Sequence, residues 1–142
     1  MKTVNLCSCS DTDLDILALL NKQLIEDEKH DNEMSTEQLK ERMWQFLNTG
    51  YRAYLFKSIG KIVGYALIDM TKEPIYLRQF FICRESRRAG YGTIAFLKLL
   101  ETLSIKTVDI EVLSWNQRAI AFWKSLGFYE RSVYMRRRNT NV

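Results

Sequence analysis

Proline, glycine, histidine and cysteine are all scarce in this sequence. One proline and six glycines among 142 residues argue against disorder and against long linkers. The three cysteines are an odd number and no apolar signal segment is recognisable, so we expect reduced cysteines and no disulfide framework. With one histidine and no second Cys or His pair to complete a ligand set, the sequence predicts no metal site.

Long apolar runs and a strong charge bias are also lacking. No apolar stretch approaches the roughly 18–20 residues of a membrane span, so we expect no membrane partner and a cytoplasmic protein. The net charge of +4 suits a polyanionic small ligand but is too small to predict nucleic-acid binding. A length of 142 residues predicts a single domain over residues 1–142.

Hydrophobic periodicity predicts an alternation of strands and helices in the order βααβββαβαβ. Helices are expected from Leu14, after the capping-box pair Ser35 and Gln38, and over 93–103 and 116–126. The acidic stretch 26–33 is expected to be a loop. Strands are expected at residues 2–9, 52–58, 62–70, 75–83, 106–113 and 128–136. A strand, a crossover helix and a further strand predict one parallel pair in a mixed sheet of an α/β (α+β) protein.

A glycine-containing segment separates the strand 75–83 from the helix 93–103. Its residues are Arg87, Arg88, Ala89, Gly90, Tyr91 and Gly92. The first turn of a helix presents unpaired N–H groups and a positive dipole end, glycines let the backbone close on an anion, and arginines add charge. The segment therefore fits a pyrophosphate, although a tight turn with solvated arginines is an equally good interpretation.

A second motif lies at residues 116–128. Asn116 stands at the start of a predicted helix, Ala119 leaves room for a close approach, and Trp123 lies on the same helix face as Asn116. The asparagine can cap the helix or hydrogen-bond an amide-bearing ligand. The alternative is a capped amphipathic helix packed by its aromatic residues and ended by Gly127.

Together the two motifs resemble those of the GCN5-related N-acetyltransferase (GNAT) superfamily. The family's Arg/Gln-x-x-Gly-x-Gly/Ala loop is matched by Arg87, Gly90 and Gly92. Its Asn-x-x-Ala…Gly-Phe helix is matched by Asn116, Ala119, Gly127 and Phe128. The spacing of the motifs and the element order also resemble the family over nearly the whole chain.

The resemblance implies a fold and a cosubstrate. The fold is a mostly antiparallel sheet with helices on both faces and a parallel pair, 75–83 and 106–113, that splays apart. The cosubstrate is acetyl-CoA, with its pantetheine arm in the splay and its pyrophosphate on the loop, and no metal. The cofactor-binding residues implied are Phe80, Phe81, Ile82, Arg87, Arg88, Ala89, Gly90, Tyr91, Gly92, Thr93, Asn116, Ala119 and Trp123.

The implied chemistry is direct attack of an amine on the thioester, without a covalent enzyme intermediate. A base must accept the ammonium proton. Glu111 is the candidate, since it lies near the C-terminal end of the strand 106–113, close to the splay, and some family members have a glutamate at this offset before the asparagine. An exposed strand carboxylate with no catalytic role is the alternative, and a water relayed from Gln79 or Tyr76 is another route for the proton.

The thiolate acid is where the chain departs from the family. Many members have a tyrosine where this chain has Trp123, and an indole N–H is no proton source at neutral pH. Tyr134 or Tyr129 can replace the missing acid, or the thiolate leaves unassisted. Trp123 then packs on the pantetheine arm.

The acceptor expected is a primary amine, either a small molecule or a peptide. The acidic residues 26–28 and Glu33 are either loop charges or groups that attract a cationic amine. A single strand after Gly127 leaves an open edge, which predicts a homodimer.

Two other functions stay open. One is a non-catalytic CoA-binding module, suggested by Trp123. The other is a nucleic-acid binder using Arg136, Arg137 and Arg138, for which we do not expect the required salt dependence.

Overall fold

The computed structural model describes residues 2–139, which form two compact units. The first unit ends at Glu111 and the second begins at Val112. The first contains the whole sheet and three of the four helices found in the described residues, and the second contains the remaining helix. The expectation of a single domain over residues 1–142 stays a prediction.

The first unit is built on a five-stranded sheet with strands in the order β1-β2-β3-β4-β5. Three pairings are antiparallel and only β4 with β5 is parallel, which confirms the predicted mixed sheet. The strands are β1 (Asn5–Ser8), β2 (Tyr51–Ser58), β3 (Lys61–Asp69), β4 (Ile75–Ile82) and β5 (Val108–Asp109). The helices of this unit are α1 (Leu14–Glu28), α2 (Thr36–Leu47) and α3 (Tyr91–Leu103).

The helices cover both faces of this sheet, as expected, because alternate strand residues point to opposite sides. On one face, side chains of β2, β3 and β4 form a core with α1 and α2. Its buried members include Leu17, Leu20, Met43, Leu55, Tyr65, Leu67 and Phe81. On the other face the Phe80 ring lies 5.3 Å from that of Phe56 and 6.3 Å from that of Phe96 in α3.

Local sequence signals explain where two of the helices begin. The side chain of Ser35 accepts from the Gln38 N–H, and the side chain of Gln38 accepts from the Ser35 N–H, which confirms the predicted capping box. Gly90, in a left-handed conformation, precedes α3, so that helix starts at Tyr91, two residues before the predicted start.

The end of α1 was predicted wrongly, because the helix continues to Glu28 through the first part of the expected loop. The carboxylates of Glu26 and Asp27 lie within 3.4 Å and 2.6 Å of the Arg84 guanidinium. Arg84 follows β4 and is distant in sequence. A run of acidic residues is unfavourable near a helix C-terminus, and here a tertiary partner offsets it.

β4 and β5 part after a short pairing. Only Ile75 with Val108 and Tyr76 with Asp109 are paired, although the sequence predicted a strand over 106–113. Within the first unit, the backbone of β4 from Leu77 onward therefore has no β5 neighbour. This leaves an open edge beside β4, and the parallel pair is splayed there as predicted.

The second unit holds α4 (Gln117–Ser125) and the segment after it. The strand predicted over 128–136 is wrong, since the described residues after α4 form no strand. The apolar residues Val133, Tyr134 and Met135 of this segment are 78–85% exposed. Apolar residues alone do not make a strand, because a strand forms only where a neighbouring edge supplies its hydrogen bonds. The predicted homodimer loses this strand's edge as its basis and stays a prediction.

Candidate active site

The loop between β4 and α3 combines a short 3-10 turn (Arg84–Ser86) with two left-handed residues. Arg88 has φ 60° and Gly90 has φ 84°. Gly90 has open space where a Cβ would lie, so its backbone conformation, and not crowding, is what favours glycine there. The Ile94 N–H donates to the Gly90 carbonyl at 3.2 Å as the first bond of the helix.

The N–H groups at the start of α3 precede that first helical bond. Tyr91, Gly92 and Thr93 therefore have no acceptor within the helix, and the positive end of its dipole lies beside them. Ala89 is half-buried, whereas the side chain of Arg88 is exposed. A left-handed backbone followed by these donors has the character of an anion cradle.

Arg87, the first residue of the loop motif, is engaged within the protein. Its Nε donates to the Ile82 carbonyl at 2.8 Å and its guanidinium lies 2.5 Å from an Asp27 oxygen. The same guanidinium lies 5.2 Å from the centre of the Phe81 ring. Arg87 therefore fastens the loop to the end of α1 and to β4.

Asp27 is held between the guanidiniums of Arg84 and Arg87. Burial works to raise the pKa of the Asp27 carboxyl, but hydrogen bonds from Arg84 and Arg87 outweigh it and the pKa is lowered. Its side chain is only 22% exposed. Asp27 is thus ionised in the folded protein and neutralises part of the positive charge beside the loop.

The open edge of β4 presents backbone groups at the predicted residues Phe80, Phe81 and Ile82. The Cys83 N–H donates to Val63 in β3. Because successive residues alternate in direction, Phe81 also faces β3, and the backbone groups of Phe80 and Ile82 face the open edge. The Ile82 carbonyl already accepts from Arg87. Phe80 and Ile82 thus direct their backbone groups to the side of β4 that faces away from β3.

Glu111 is exposed and follows β5 by two residues. Tyr76, its neighbour in β4, is half-buried, and its pKa is raised to about 12 first by burial and then by the negative charge of Glu111. The candidate base and a tyrosine of the splayed strand are therefore close enough to interact. At neutral pH the Tyr76 hydroxyl is protonated and can donate a hydrogen bond.

Gln79, proposed as a water relay, is buried at 8% exposure. Its Oε1 accepts from the Tyr65 hydroxyl at 2.7 Å, and Tyr65 is fully buried. Burial raises the pKa of Tyr65 well above its ordinary value, so this pair stays neutral. It is a core hydrogen bond on the face covered by α1 and α2.

In the second unit, Asn116 caps α4. Its Oδ1 accepts from the Ala119 N–H at 3.3 Å, which is the capping role predicted as one of its two alternatives. Trp123 is buried, with ring centres 4.8 Å from Phe122 and 5.2 Å from Phe128. The candidate acids Tyr129 and Tyr134 are 73% and 81% exposed.

Two arginines that the sequence did not single out, Arg42 and Arg78, lie against one aromatic ring on the α1–α2 face of the sheet. They are far apart in sequence, and no motif connects them.

Among residues 2–139 no helix is long and apolar enough to cross a membrane. In the same part of the chain, no cluster of three His, Cys, Asp or Glu side chains could hold a metal ion.

Comparison with known proteins decides the family. The model of the acetyltransferase (GNAT) family matches residues 16–128. The chain belongs to the GNAT acetyltransferase family. No relative was found among curated proteins.

Solved structures share the GNAT fold at low identity. A possible acetyltransferase from Clostridium difficile 630 is 18% identical with a TM-score of 0.76, over 97% of this chain and 98% of that one. A predicted acetyltransferase from Clostridium acetobutylicum, solved with acetyl-CoA, is 14% identical with a TM-score of 0.71, over 96% of each chain. An aminoglycoside acetyltransferase from an uncultured soil metagenomic sample, in complex with sisomicin, is 15% identical with a TM-score of 0.67, over 96% and 97%.

Proposed function

We propose that this GNAT protein transfers the acetyl group of acetyl-CoA to a primary amine by direct attack in a ternary complex. The observation that carries the proposal is the open edge of β4 running into a left-handed loop and the free N-terminus of α3. An extended amide-bearing arm followed by a pyrophosphate matches that succession of backbone groups. The solved relative with acetyl-CoA supports the choice of cosubstrate.

The loop backbone from Arg88 to Thr93 is the proposed pyrophosphate site. In this proposal Arg87 holds the loop in place, because its guanidinium binds Asp27 and the Ile82 carbonyl. The pantetheine arm is proposed to lie along β4 at Phe80, Phe81 and Ile82, as the family resemblance implies. The proposed cofactor set also includes Asn116 and Ala119, which match the family motif, and Trp123, which stands where many members have a tyrosine.

The chemistry joins the amine nitrogen to the thioester carbonyl carbon and breaks the carbon–sulfur bond, giving an amide and the CoA thiol. The ammonium group of the acceptor must first lose a proton, and we assign that proton to Glu111, whose charge already acts on Tyr76. Protonation of the departing thiolate is assigned to Tyr134, with Trp123 as a packing residue of the same motif.

Release of free thiol from acetyl-CoA in the presence of a panel of amines tests the proposal. We expect turnover in the wild type, and a kcat lowered about 100-fold or more in Glu111→Gln, because general base catalysis typically contributes about 10²–10⁴. The affinity for CoA, measured by calorimetry, should be unchanged in that variant. Glu101→Gln is the matched control, because Glu101 is an exposed carboxylate in α3.

The outcomes separate the alternatives. Undiminished turnover in Glu111→Gln would remove Glu111 as the base and leave the transfer reaction standing. Tight CoA binding without thiol release across the panel would instead identify a non-catalytic CoA-binding module.

A further inference from the structure

Arg42 of α2 and Arg78 of β4 meet at the ring of Phe46. The guanidinium carbon of Arg42 lies 5.4 Å from the ring centre and that of Arg78 lies 4.9 Å from it. The ring of Tyr51 packs on the same phenylalanine at 4.6 Å. Two cations from distant parts of the chain are thus gathered on one aromatic side chain, which attracts each of them. We call Arg42, Phe46, Tyr51 and Arg78 the arginine cluster.

A bulge in β4 brings Arg78 to this place. Leu67 of β3 pairs with Gln79, whereas the next residue, Ile68, pairs with Leu77. Arg78 is therefore the extra residue of the strand, and such residues redirect a side chain. It reaches the α2 side of the sheet, where a guanidinium nitrogen lies 3.5 Å from the Tyr51 hydroxyl.

The charge of the arginine cluster is not neutralised within the described residues. No carboxylate of residues 2–139 is within ion-pair distance of Arg42 or Arg78. Arg42 donates to the buried Asn21 Oδ1 at 3.1 Å, but its own Nε is buried without a hydrogen-bond partner. Burial and then the charge of Arg78 lower the pKa of Arg42. Arg42 is half-buried and Arg78 is exposed, so the arginine cluster presents positive charge at the surface without an anion from the described residues.

Negative side chains lie nearby, around Tyr76. That tyrosine shares a sheet face with Tyr51, because both pair with Asp69 of β3. It interacts with Glu111 and Glu28 as well as with Arg78. The carboxylate of Glu111, suited to a positive group, and the guanidinium of Arg78, suited to a negative group, therefore both act on Tyr76.

We propose that the arginine cluster binds a carboxylate of the acceptor, so that the acceptor is an amine that also carries a carboxylate. This inference rests on the proposed acetyl transfer. In it the amine lies towards Glu111 and the carboxylate lies on Arg42 and Arg78, as an amino acid or a peptide with a free carboxylate would allow. Arginine is suited to this role because its planar donors match a carboxylate.

Binding of product analogues tests the site without relying on turnover. N-acetylglycine carries the carboxylate, and N-acetylglycinamide is its neutral counterpart. We expect N-acetylglycine to shift the side-chain Nε–H resonances of Arg42 and Arg78 in NMR spectra and to bind at least about tenfold more tightly than the amide. Equal binding of the two compounds, or no shift of either arginine, would overturn the proposal.

Variants add a second measurement. Arg78→Gln should weaken N-acetylglycine binding about tenfold or more, and should raise KM for amino-acid acceptors with little change for their carboxamides. Arg52→Gln is the matched control, since Arg52 is an exposed arginine that shares the opposite sheet face with its β3 partner Ile68. A loss in Arg52→Gln equal to that in Arg78→Gln would contradict a specific site.

Failure of the transfer reaction gives a different result. If CoA binds and no amine is acetylated, the proposed function falls, and the product-analogue titration still decides whether the arginine cluster is an anion site. If carboxylate-free amines are turned over as fast as amino acids, the transfer reaction stands and the acceptor inference falls.

Discussion

Two pairs of arginines in the first unit show opposite electrostatic arrangements. Arg84 and Arg87 contact the two oxygens of the Asp27 carboxylate, and Arg84 also approaches Glu26. In the arginine cluster, Arg42 and Arg78 share the Phe46 ring and no carboxylate of the described residues pairs with them. The first pair fastens one part of the protein to another. The second holds positive charge ready for an anion from outside.

The largest effect on stability is expected from removing the carboxylate of Asp27, which neutralises Arg84 and Arg87. Asp27→Asn leaves Arg84 and Arg87 facing each other, and should cost about 1 kcal/mol, the upper end for exposed ion pairs because Asp27 is largely covered. Thermal unfolding should show a Tm lower by about 3–4 °C. Asp15→Asn, which breaks the more exposed pair with Lys40, should leave Tm unchanged. A similar loss in both variants would show that the position of Asp27 is not special.

The stabilising contribution of Asp27 should depend on pH. The pKa of Asp27 is lowered in the folded protein from an ordinary value of 3.8. Its contribution is therefore complete above that value and is lost as the pH falls through the lowered pKa. The difference in unfolding free energy between wild type and Asp27→Asn, measured in urea, should be constant near neutrality and shrink below about pH 4. A difference that grows in acid would contradict this assignment.

The smallest effect on stability is expected in the arginine cluster, where Arg42 and Arg78 have no carboxylate partner. Arg78→Gln removes a charge that repels Arg42 but also loses the contact with the Phe46 ring, and it breaks no ion pair, so stability should change by no more than about 0.5 kcal/mol. Urea unfolding of Arg78→Gln beside Arg87→Gln checks this, since the latter loses contacts to Asp27 and Ile82. A larger loss in Arg78→Gln than in Arg87→Gln would mean that the arginine cluster supports the fold itself.

Much of the fold could be predicted from local signals. The capping box at Ser35 and Gln38 set the start of α2, and the short turns between β2, β3 and β4 predicted a meander. The segment 128–136 shows why the same method failed elsewhere. The sequence predicts a last strand there, yet Val133, Tyr134 and Met135 are 78–85% exposed and the described residues of the segment form no strand, because a strand needs a neighbouring edge to pair with.

Some features of the candidate site could likewise be predicted from the sequence, and others could not. The glycine-containing loop and the capping asparagine were found in the sequence because backbone conformation and helix capping are local properties. The contact of Arg87 with Asp27 and the meeting of Arg42 with Arg78 were not found, because 60 and 36 residues separate the partners along the chain. No local pattern records which charged side chains become neighbours.

By itself, the sequence determined the family, the order of most elements and the position of the loop that starts α3. These depend on short-range periodicity, on glycine's access to left-handed conformations and on motif spacing. Only the tertiary structure decided which arginines are neutralised and which are not. Charge pairing depends on distance in space, and the end of α1, the bulge in β4 and the packing of α2 on the sheet set those distances only once the chain is folded.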